Sequence, residues 1–178
     1  SALQSNVQKL NKVEDLEIDY IENKNAIKFE KTQRQAVKSA LENGVFVLTG
    51  GPGTGKTTTL NAIIGLFEMR KLDIALAAPT GRATKRMTEL CGREAKTLHR
   101  LLEVEWDEND RQTFSRNERN PLESDVVIVD EASMVDVLLF DSLLRAMRPS
   151  SRLVLVGDVK QLPSVSAGNV LNDIIESG

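Results

Sequence analysis

The sequence is poor in cysteine, aromatic residues and long apolar runs, and each scarcity excludes a class of protein. Its 178 residues contain a single cysteine, Cys91, so neither an internal disulfide nor a cysteine-based metal site is possible within one chain. No run of about eighteen apolar residues occurs, which excludes a membrane-spanning helix and argues against a membrane partner. Residues 1–12 are polar and lack the apolar core of a secretory signal, so we expect a cytoplasmic protein.

The charges are nearly balanced overall but unevenly distributed along the chain. The formal net charge is −3. Residues 70–100 hold eight Lys or Arg against three Asp or Glu, whereas residues 101–141 hold three against twelve. A basic stretch on an acidic protein can contact a nucleic-acid backbone. On charge alone, a solvated helix face is the simpler interpretation.

Short apolar segments alternate with amphipathic ones, which is the pattern of an α/β fold. We predict strands at residues 45–49, 73–78, 125–129 and 152–156. Helices are predicted at residues 32–43, 56–69, 81–90, 97–102, 135–147 and 168–176, with one or two more within residues 1–28. Residues 104–121 are predicted to form a surface hairpin or loop. This alternation predicts a parallel sheet covered on both faces, with ligands at the carboxyl ends of its strands.

The strongest chemical signal is the segment GGPGTGKT at residues 50–57. It fits the pattern G-x-x-x-x-G-K-[ST] and lies between a predicted strand and a predicted helix, the context that this phosphate-binding loop requires. The glycines allow successive backbone N–H groups to face phosphates, and the helix N-terminus adds its dipole. Lys56 would reach the β- and γ-phosphates, and the Thr57 hydroxyl would bind Mg²⁺. This context disfavours the alternative, a glycine-rich turn with a chance lysine.

Two further signals follow apolar strands. Asp130 and Glu131 follow VVIV, where an Asp can hold Mg²⁺ and a Glu can orient or deprotonate a water. The alternative is two solvated acids that begin a helix. Gln161 lies in GDVKQLP, directly after RLVLV, and its amide could hydrogen-bond a γ-phosphate. Spacing alone leaves open an ordinary strand-to-helix loop at this third position.

The combination of motifs resembles the RecD-like branch of superfamily 1B helicases, the exodeoxyribonuclease V alpha-subunit relatives. The matching segments run over nearly the whole chain: TQRQAV (32–37), GGPGTGKTT (50–58), APTGRATKRM (78–87), TLHRLL (97–102), DEAS (130–133) and GDVKQLPSV (157–165). Lys160 departs from the family pattern, in which an acid is common, but that position carries no predicted phosphate contact. The resemblance implies a RecA-like P-loop NTPase fold, a three-layer sandwich with a mainly parallel central sheet. It also implies ATP and Mg²⁺ as cofactors and 5′-to-3′ unwinding of DNA.

The resemblance assigns a role to residues that match the family motifs. The expected catalytic residues are Lys56, Glu131 and Gln161. The expected metal ligands are Thr57 and Asp130. The expected nucleotide-binding residues are Gln33 on the adenine, with Gly51, Gly53, Thr54, Gly55, Lys56, Thr57 and Thr58 on the phosphates. The expected contacts to single-stranded DNA are Thr80, Gly81, Arg82, Thr97 and His99, although a packed residue on a short helix is an equal interpretation of His99.

The family pattern also predicts how the chain is organised. We expect a helical extension at residues 1–28 and a motor domain at residues 29–178. A second RecA-like domain, with motifs IV to VI and an arginine finger, is not found in the sequence. We therefore expect a fragment of a longer protein, whose partners are single-stranded DNA, the second motor domain and, in a helicase–nuclease complex, further subunits for DNA repair and recombination.

Two other function classes were weighed against an ATP-dependent helicase. A small P-loop kinase would need a lid and acceptor-site arginines, and a GTPase would need N-K-x-D, and neither pattern is present in the sequence. A non-enzymatic nucleotide-binding scaffold is disfavoured because Lys56, Thr57, Asp130 and Glu131 are all intact. An isolated motor domain could nevertheless behave as a binding module.

Overall fold

The computed structural model describes residues 15–50 and 55–158 of the chain. In chain order, its helices and strands are α1 (Asp15–Asn25), α2 (Lys31–Glu42), β1 (Val45–Thr49), α3 (Lys56–Met69), β2 (Ile74–Ala78), α4 (Gly81–Cys91), β3 (Ala95–Thr97), α5 (Leu98–Leu101), β4 (Val104–Trp106), β5 (Gln112–Phe114), β6 (Val126–Val129), α6 (Val137–Ala146) and β7 (Arg152–Gly157). A short 3₁₀ turn, Ala132–Met134, precedes α6. The helix predicted at residues 168–176 lies outside the described residues.

The central sheet has the strand order β1-β7-β6-β2-β3, and every neighbouring pair is parallel. The four strands predicted from apolar runs are all present and parallel, which confirms the predicted α/β class. Strand β6 lies between β7 and β2, with Val127 opposite Leu153 on one side and Ala75 on the other. All parallel strands end at one edge, so the residues that follow them are brought together there.

Helices cover both faces of this sheet. Successive residues of β6 alternate between two hydrophobic clusters: Val126 and Ile128 belong to the first, and Val127 and Val129 to the second. This alternation follows from the two-residue period of a strand. Residues of α1 to α4 pack in the first cluster, and residues of α5 and α6 pack in the second. The result is the three-layer arrangement that the sequence predicts.

Helix α1 is part of the first hydrophobic layer. Its residues Ile18 and Ile21 are buried in the same cluster as α2 and α3. A Cβ added at Gly65 of α3 would lie 3.2 Å from Ile21 Cδ1, so the two helices pack closely at this point. An ion pair between Arg70 and Glu17, at 3.1 Å, joins the same two helices.

The burial of α1 leads to a stability prediction. Ile18 is completely buried, so Ile18→Ala should lower the free energy of unfolding by roughly 2–5 kcal/mol through lost burial and a residual cavity. Leu16, on the same helix, is 73% exposed, so Leu16→Ala is the matched control and should change stability by less than about 0.5 kcal/mol. Urea denaturation measures both. Equal effects of the two substitutions would contradict the packing of α1.

The sequence prediction missed one strand next to the sheet edge. The helix predicted at residues 97–102 is present as α5, with Thr97 as its N-cap and Leu102 as its C-cap, but the unpredicted strand β3 directly precedes it. Strand β3 is three residues long and pairs with β2 through Ala95 opposite Leu76. Its sequence, AKT, has no apolar run that would favour a strand. These residues therefore adopt strand conformation because they pair with β2. The predicted surface hairpin is confirmed, because β4 and β5 pair antiparallel.

Cys91 ends α4 and is half-buried against the first hydrophobic cluster. Burial, with a smaller contribution from the charge of Asp130, raises the pKa of its thiol to about 11. The thiolate is the nucleophile, and its higher intrinsic reactivity offsets only part of the lost ionisation. Iodoacetamide at pH 8 should therefore alkylate Cys91 at least about tenfold more slowly in the folded chain than in urea. Mass spectrometry would follow this rate, and equal rates in the two states would contradict the burial.

Candidate nucleotide-binding site

The phosphate-binding loop leads into α3 at the carboxyl edge of the sheet. Gly55 has a left-handed backbone, with φ of 78°, and forms the N-cap of α3. A residue with a Cβ would be strained at that φ, which explains the glycine. Lys56 is half-buried at the first position of the helix, and Thr57 and Thr58 are exposed beside it. Gly51, Gly53 and Thr54, which were predicted to bind phosphates, lie outside the described residues.

Of the three threonines in the first turn of α3, two are exposed to a possible ligand and one is buried. Thr59 is buried, and its hydroxyl donates to the Gly55 carbonyl at 3.1 Å. Thr57 and Thr58 have no such intrahelical role among the described contacts and face outward. The predicted metal and phosphate ligands are therefore the accessible hydroxyls of this turn.

Gln33 connects α2 to the phosphate-binding loop. Its Oε1 accepts a hydrogen bond from the Glu30 backbone N–H at 3.0 Å, in a capping box at the start of α2. Its Nε2 lies 2.8 Å from the position that a Cβ would occupy at Gly55. The structure thus brings Gln33 to the loop, with its oxygen already engaged and its NH₂ group facing Gly55.

Asp130 and Glu131 follow β6 at the same edge. The Asp130 backbone N–H donates to the Ala77 carbonyl at 2.9 Å, which fixes it beside the end of β2. Asp130 Oδ1 accepts from the Glu131 N–H at 2.8 Å. Glu131 is half-buried and has a left-handed backbone, with φ of 52°. Glu131 is the N-cap of the 3₁₀ turn Ala132–Met134, and helix α6 begins only at Val137.

A non-glycine residue in the left-handed region is uncommon, and such residues concentrate at functional sites. Burial, and secondarily the neighbouring Asp130 carboxylate, raises the pKa of the Glu131 carboxyl. The positive charges of Arg86 and Lys56 act in the opposite direction, and Asp158 raises this pKa slightly. Asp130, Asp158, Lys56 and Arg86, which with Glu131 come from four segments, therefore all act on the Glu131 carboxyl. A carboxylate with a raised pKa beside a lysine is the setting expected of a general base.

Sequence reasoning missed two members of this group, Arg86 and Asp158. Asp158 is buried immediately after β7. Arg86 lies on the exposed face of α4, one helical turn after Arg82, so their i,i+4 spacing was the available signal. Gln161, predicted to sense the γ-phosphate, lies outside the described residues.

The residues predicted to contact DNA fall into two groups. Thr80, Gly81 and Arg82 are exposed at the start of α4, where the Thr80 hydroxyl caps the helix by accepting from the Ala83 N–H at 3.2 Å. Thr97 caps α5 in the same way, accepting from the Arg100 N–H at 3.2 Å. His99 is half-buried on α5, with its ring centroid 6.0 Å from that of Phe114. The first group is accessible, whereas Thr97 and His99 are half-buried.

The described residues contain no group of three or more His, Cys, Asp or Glu side chains able to hold a metal ion by themselves. Proteins commonly bind Mg²⁺ through one or two carboxylates together with substrate phosphates. The Asp130 carboxylate and the exposed Thr57 hydroxyl are oxygen groups of that kind. Over the same residues, no helix has the length and apolar character needed to cross a membrane.

Comparison with known proteins identifies the relatives of the chain. RecBCD enzyme subunit RecD of Mycolicibacterium smegmatis is 47% identical over 167 residues, covering 81% of this chain and 30% of that protein. The ATP-dependent RecD2 DNA helicase of Deinococcus radiodurans is 49% identical over 122 residues, covering 68% of this chain and 16% of that protein. The chain therefore spans less than a third of the length of either relative.

Similar solved structures are Pif1 helicases. Bacteroides Pif1 bound to single-stranded DNA has a TM-score of 0.57 and 28% identity, over 85% of this chain and 36% of that chain. Bacteroides Pif1 in complex with ADP-AlF4 matches with the same values. The RecD relatives, together with the Pif1 structures, confirm the resemblance to RecD-like helicases that the motifs indicate. The AAA domain family matches residues 33–167, and the chain belongs to that family.

Proposed function

We propose that this chain is the ATP-binding and hydrolysing motor domain of a RecD-type, 5′-to-3′ DNA helicase, and that it is part of a longer protein. The observation that carries the proposal is at the carboxyl edge of the sheet, where Gly55 starts α3 with a left-handed backbone, the Asp130 N–H donates to the Ala77 carbonyl, and the charges of Asp130 and Lys56 act on Glu131. The relatives add support, because RecD2 of D. radiodurans is an ATP-dependent DNA helicase by name. In the longer protein, a second RecA-like domain would close the ATP site from the opposite side.

Each residue at this edge has a distinct part in ATP hydrolysis. The left-handed Gly55 and the N-terminus of α3 would bind the phosphates, and Lys56 would neutralise charge on the β- and γ-phosphates. Thr57 and Asp130 would hold Mg²⁺, which when bound neutralises developing phosphate charge. Glu131 would accept a proton from the water that attacks the γ-phosphate. Gln33 on the adenine and Gln161 on the γ-phosphate complete the proposed site.

The DNA strand would cross the same edge of the sheet. Thr80, Gly81 and Arg82 begin α4 directly after β2, and the carbonyl of Ala77 in β2 binds the Asp130 N–H. Single-stranded DNA bound at the start of α4 would therefore lie next to the end of β2, which is hydrogen-bonded to the segment that carries Glu131. Thr97 and His99 extend the proposed path along α5. The proposed partners are single-stranded DNA, the second motor domain and the other subunits of a helicase–nuclease complex.

The test compares steady-state ATPase activity of this chain and of the longer protein, each with and without single-stranded DNA. The isolated chain should bind Mg²⁺-ATP weakly and turn over very slowly, since an arginine finger supplied by another domain is typically worth about 10³–10⁵ in rate. It should not unwind a duplex, whereas the longer protein should show DNA-stimulated ATPase and unwinding. Full turnover or unwinding by the isolated chain would refute the proposal that a second domain is needed for activity. ATP binding without turnover in the longer protein would favour a non-enzymatic switch.

A further inference from the structure

Helices α1 and α2 are joined by ion pairs around Arg34, the residue that follows Gln33. Arg34 Nη1 lies 2.8 Å from Glu22 Oε2, and its Nη2 lies 2.8 Å from Asp19 Oδ1. The Asp19 side chain is 51% exposed, so water weakens its pair with Arg34. The Glu22 side chain is only 12% exposed, so breaking the Glu22–Arg34 pair would leave a largely buried charge without its partner.

Glu22 uses both oxygens of its carboxylate to fix the start of α2. Its Oε1 accepts a hydrogen bond from the Phe29 backbone N–H at 2.9 Å, while its Oε2 pairs with Arg34. The Phe29 side chain is itself buried in the first hydrophobic cluster. The backbone carbonyl of Glu22 accepts from the Ile27 N–H at 3.0 Å, which closes the turn between the two helices. Glu22 therefore holds the chain on both sides of Gln33.

The amide of Gln33 has a defined orientation between these two anchors. The Glu30 N–H donates to Gln33 Oε1 at 3.0 Å, so the oxygen of the amide faces the first residue of the capping box. The NH₂ group then faces Gly55 of the phosphate-binding loop. An amide oxygen has two lone pairs, so one of them remains for a second donor. The Gln33 amide can therefore both accept from and donate to a ligand beside the loop.

We propose that the Glu22–Arg34 pair positions Gln33 and thereby sets the preference of the site for adenine over other purines. The inference rests on the proposed function, in which Gln33 binds the adenine. A glutamine amide recognises adenine by accepting from its N6 amino group and donating to its N7. Hypoxanthine and guanine carry a carbonyl oxygen at C6, which an amide oxygen held in this position repels. An amide free to rotate by half a turn would present its NH₂ group to that oxygen and lose the discrimination. Glu22 and Arg34 act through Gln33 and are positioning residues.

The test compares hydrolysis of ATP and of inosine triphosphate by the longer protein. Inosine triphosphate has the ribose and the phosphates of ATP but carries hypoxanthine, so it probes the base alone. In the parent, kcat/KM for ATP should exceed that for inosine triphosphate by at least about fivefold, the lower end for a bidentate contact to a base. Glu22→Gln keeps the size of the side chain but removes the charge that pairs with Arg34. It should raise the KM for ATP at least about threefold and bring the ratio below about twofold. Because Lys56 and Glu131 are untouched, kcat for ATP should fall by no more than about twofold.

Two further variants separate positioning from a general loss of stability. Glu17 is the matched control, because it also lies on α1 but pairs with Arg70 after α3, at 3.1 Å. Glu17→Gln should leave the ratio of the two kcat/KM values within about twofold of the parent. Arg34→Gln breaks the Glu22–Arg34 pair from the other side and should reproduce the loss of discrimination. Thermal unfolding of each variant verifies that it is folded.

A double-mutant cycle tests whether Glu22 acts through Gln33. Gln33→Ala should abolish the discrimination, and adding Glu22→Gln to it should cause no further loss. Additive effects, or an equal loss with both nucleotides in Glu22→Gln, would overturn the inference. A ratio unchanged by Gln33→Ala would also overturn it but leave the motor assignment intact. A longer protein that hydrolyses neither nucleotide would instead refute the proposed function, and the inference with it.

Discussion

Replacing Lys56 with alanine should abolish DNA-stimulated ATP hydrolysis and unwinding in the longer helicase proposed above. Lys56 is the first residue of α3 and follows the left-handed Gly55, so its backbone position is set by the phosphate-binding loop. Its charge acts on Glu131, which places it among the acids of the carboxyl edge. Removing one preorganised charge from a reaction centre typically costs about 10²–10³ in rate, and here the same charge also binds the phosphates. We therefore expect turnover to fall to background.

The control for this experiment lies at the other end of the same helix. Lys71 follows α3, about 20 Å from Lys56 at the usual rise of a helix. Its φ is 57°, a left-handed value that asparagine tolerates, so Lys71→Asn removes an exposed lysine without added strain. Steady-state ATPase and duplex unwinding should be unchanged in this control. Parental unwinding by Lys56→Ala would show that the motor assignment is wrong.

The fold was predictable where local sequence and tertiary position agree. Strand β6 is four consecutive apolar residues that are all buried, so its composition alone revealed a central strand. The charged composition of residues 104–121 predicted a surface hairpin or loop, and a hairpin is found. Strand β3 could not be predicted, since Ala95–Thr97 become a strand only through pairing with β2, a contact that no local pattern encodes.

The candidate site shows the same division. The glycine-rich segment and the acids after β6 were located from sequence because each motif has a required strand-and-helix context. The left-handed backbone of Glu131 was not predictable, because glutamate has no local preference for that conformation and the surrounding structure imposes it. Arg86 was missed for a related reason: only the packing of α4 against β2, the strand next to β6, brings its charge to Glu131.

Replacing Glu131 with glutamine should leave ATP binding intact and remove hydrolysis. Glutamine keeps the size of the side chain and can hydrogen-bond a water, but it cannot accept the proton. The phosphate-binding residues Gly55 and Lys56 are untouched, so the dissociation constant for ATP should change by no more than about threefold, less than 1 kcal/mol. General-base catalysis typically contributes about 10²–10⁴ in rate, and the turnover number should fall by that factor. The raised pKa of Glu131 makes it a stronger base than an exposed glutamate, which favours the upper part of this range.

Two measurements on the longer protein decide the role of Glu131. Titration with a fluorescent ATP analogue in the presence of Mg²⁺ gives binding, and single-turnover hydrolysis gives the chemical step without product release. Glu42→Gln is the matched control, because Glu42 is an exposed glutamate at the end of α2 and precedes β1, at the edge of the sheet opposite to the site. It should behave as the parent in both assays. Loss of binding equal to the loss of hydrolysis in Glu131→Gln would make Glu131 a structural residue rather than a general base.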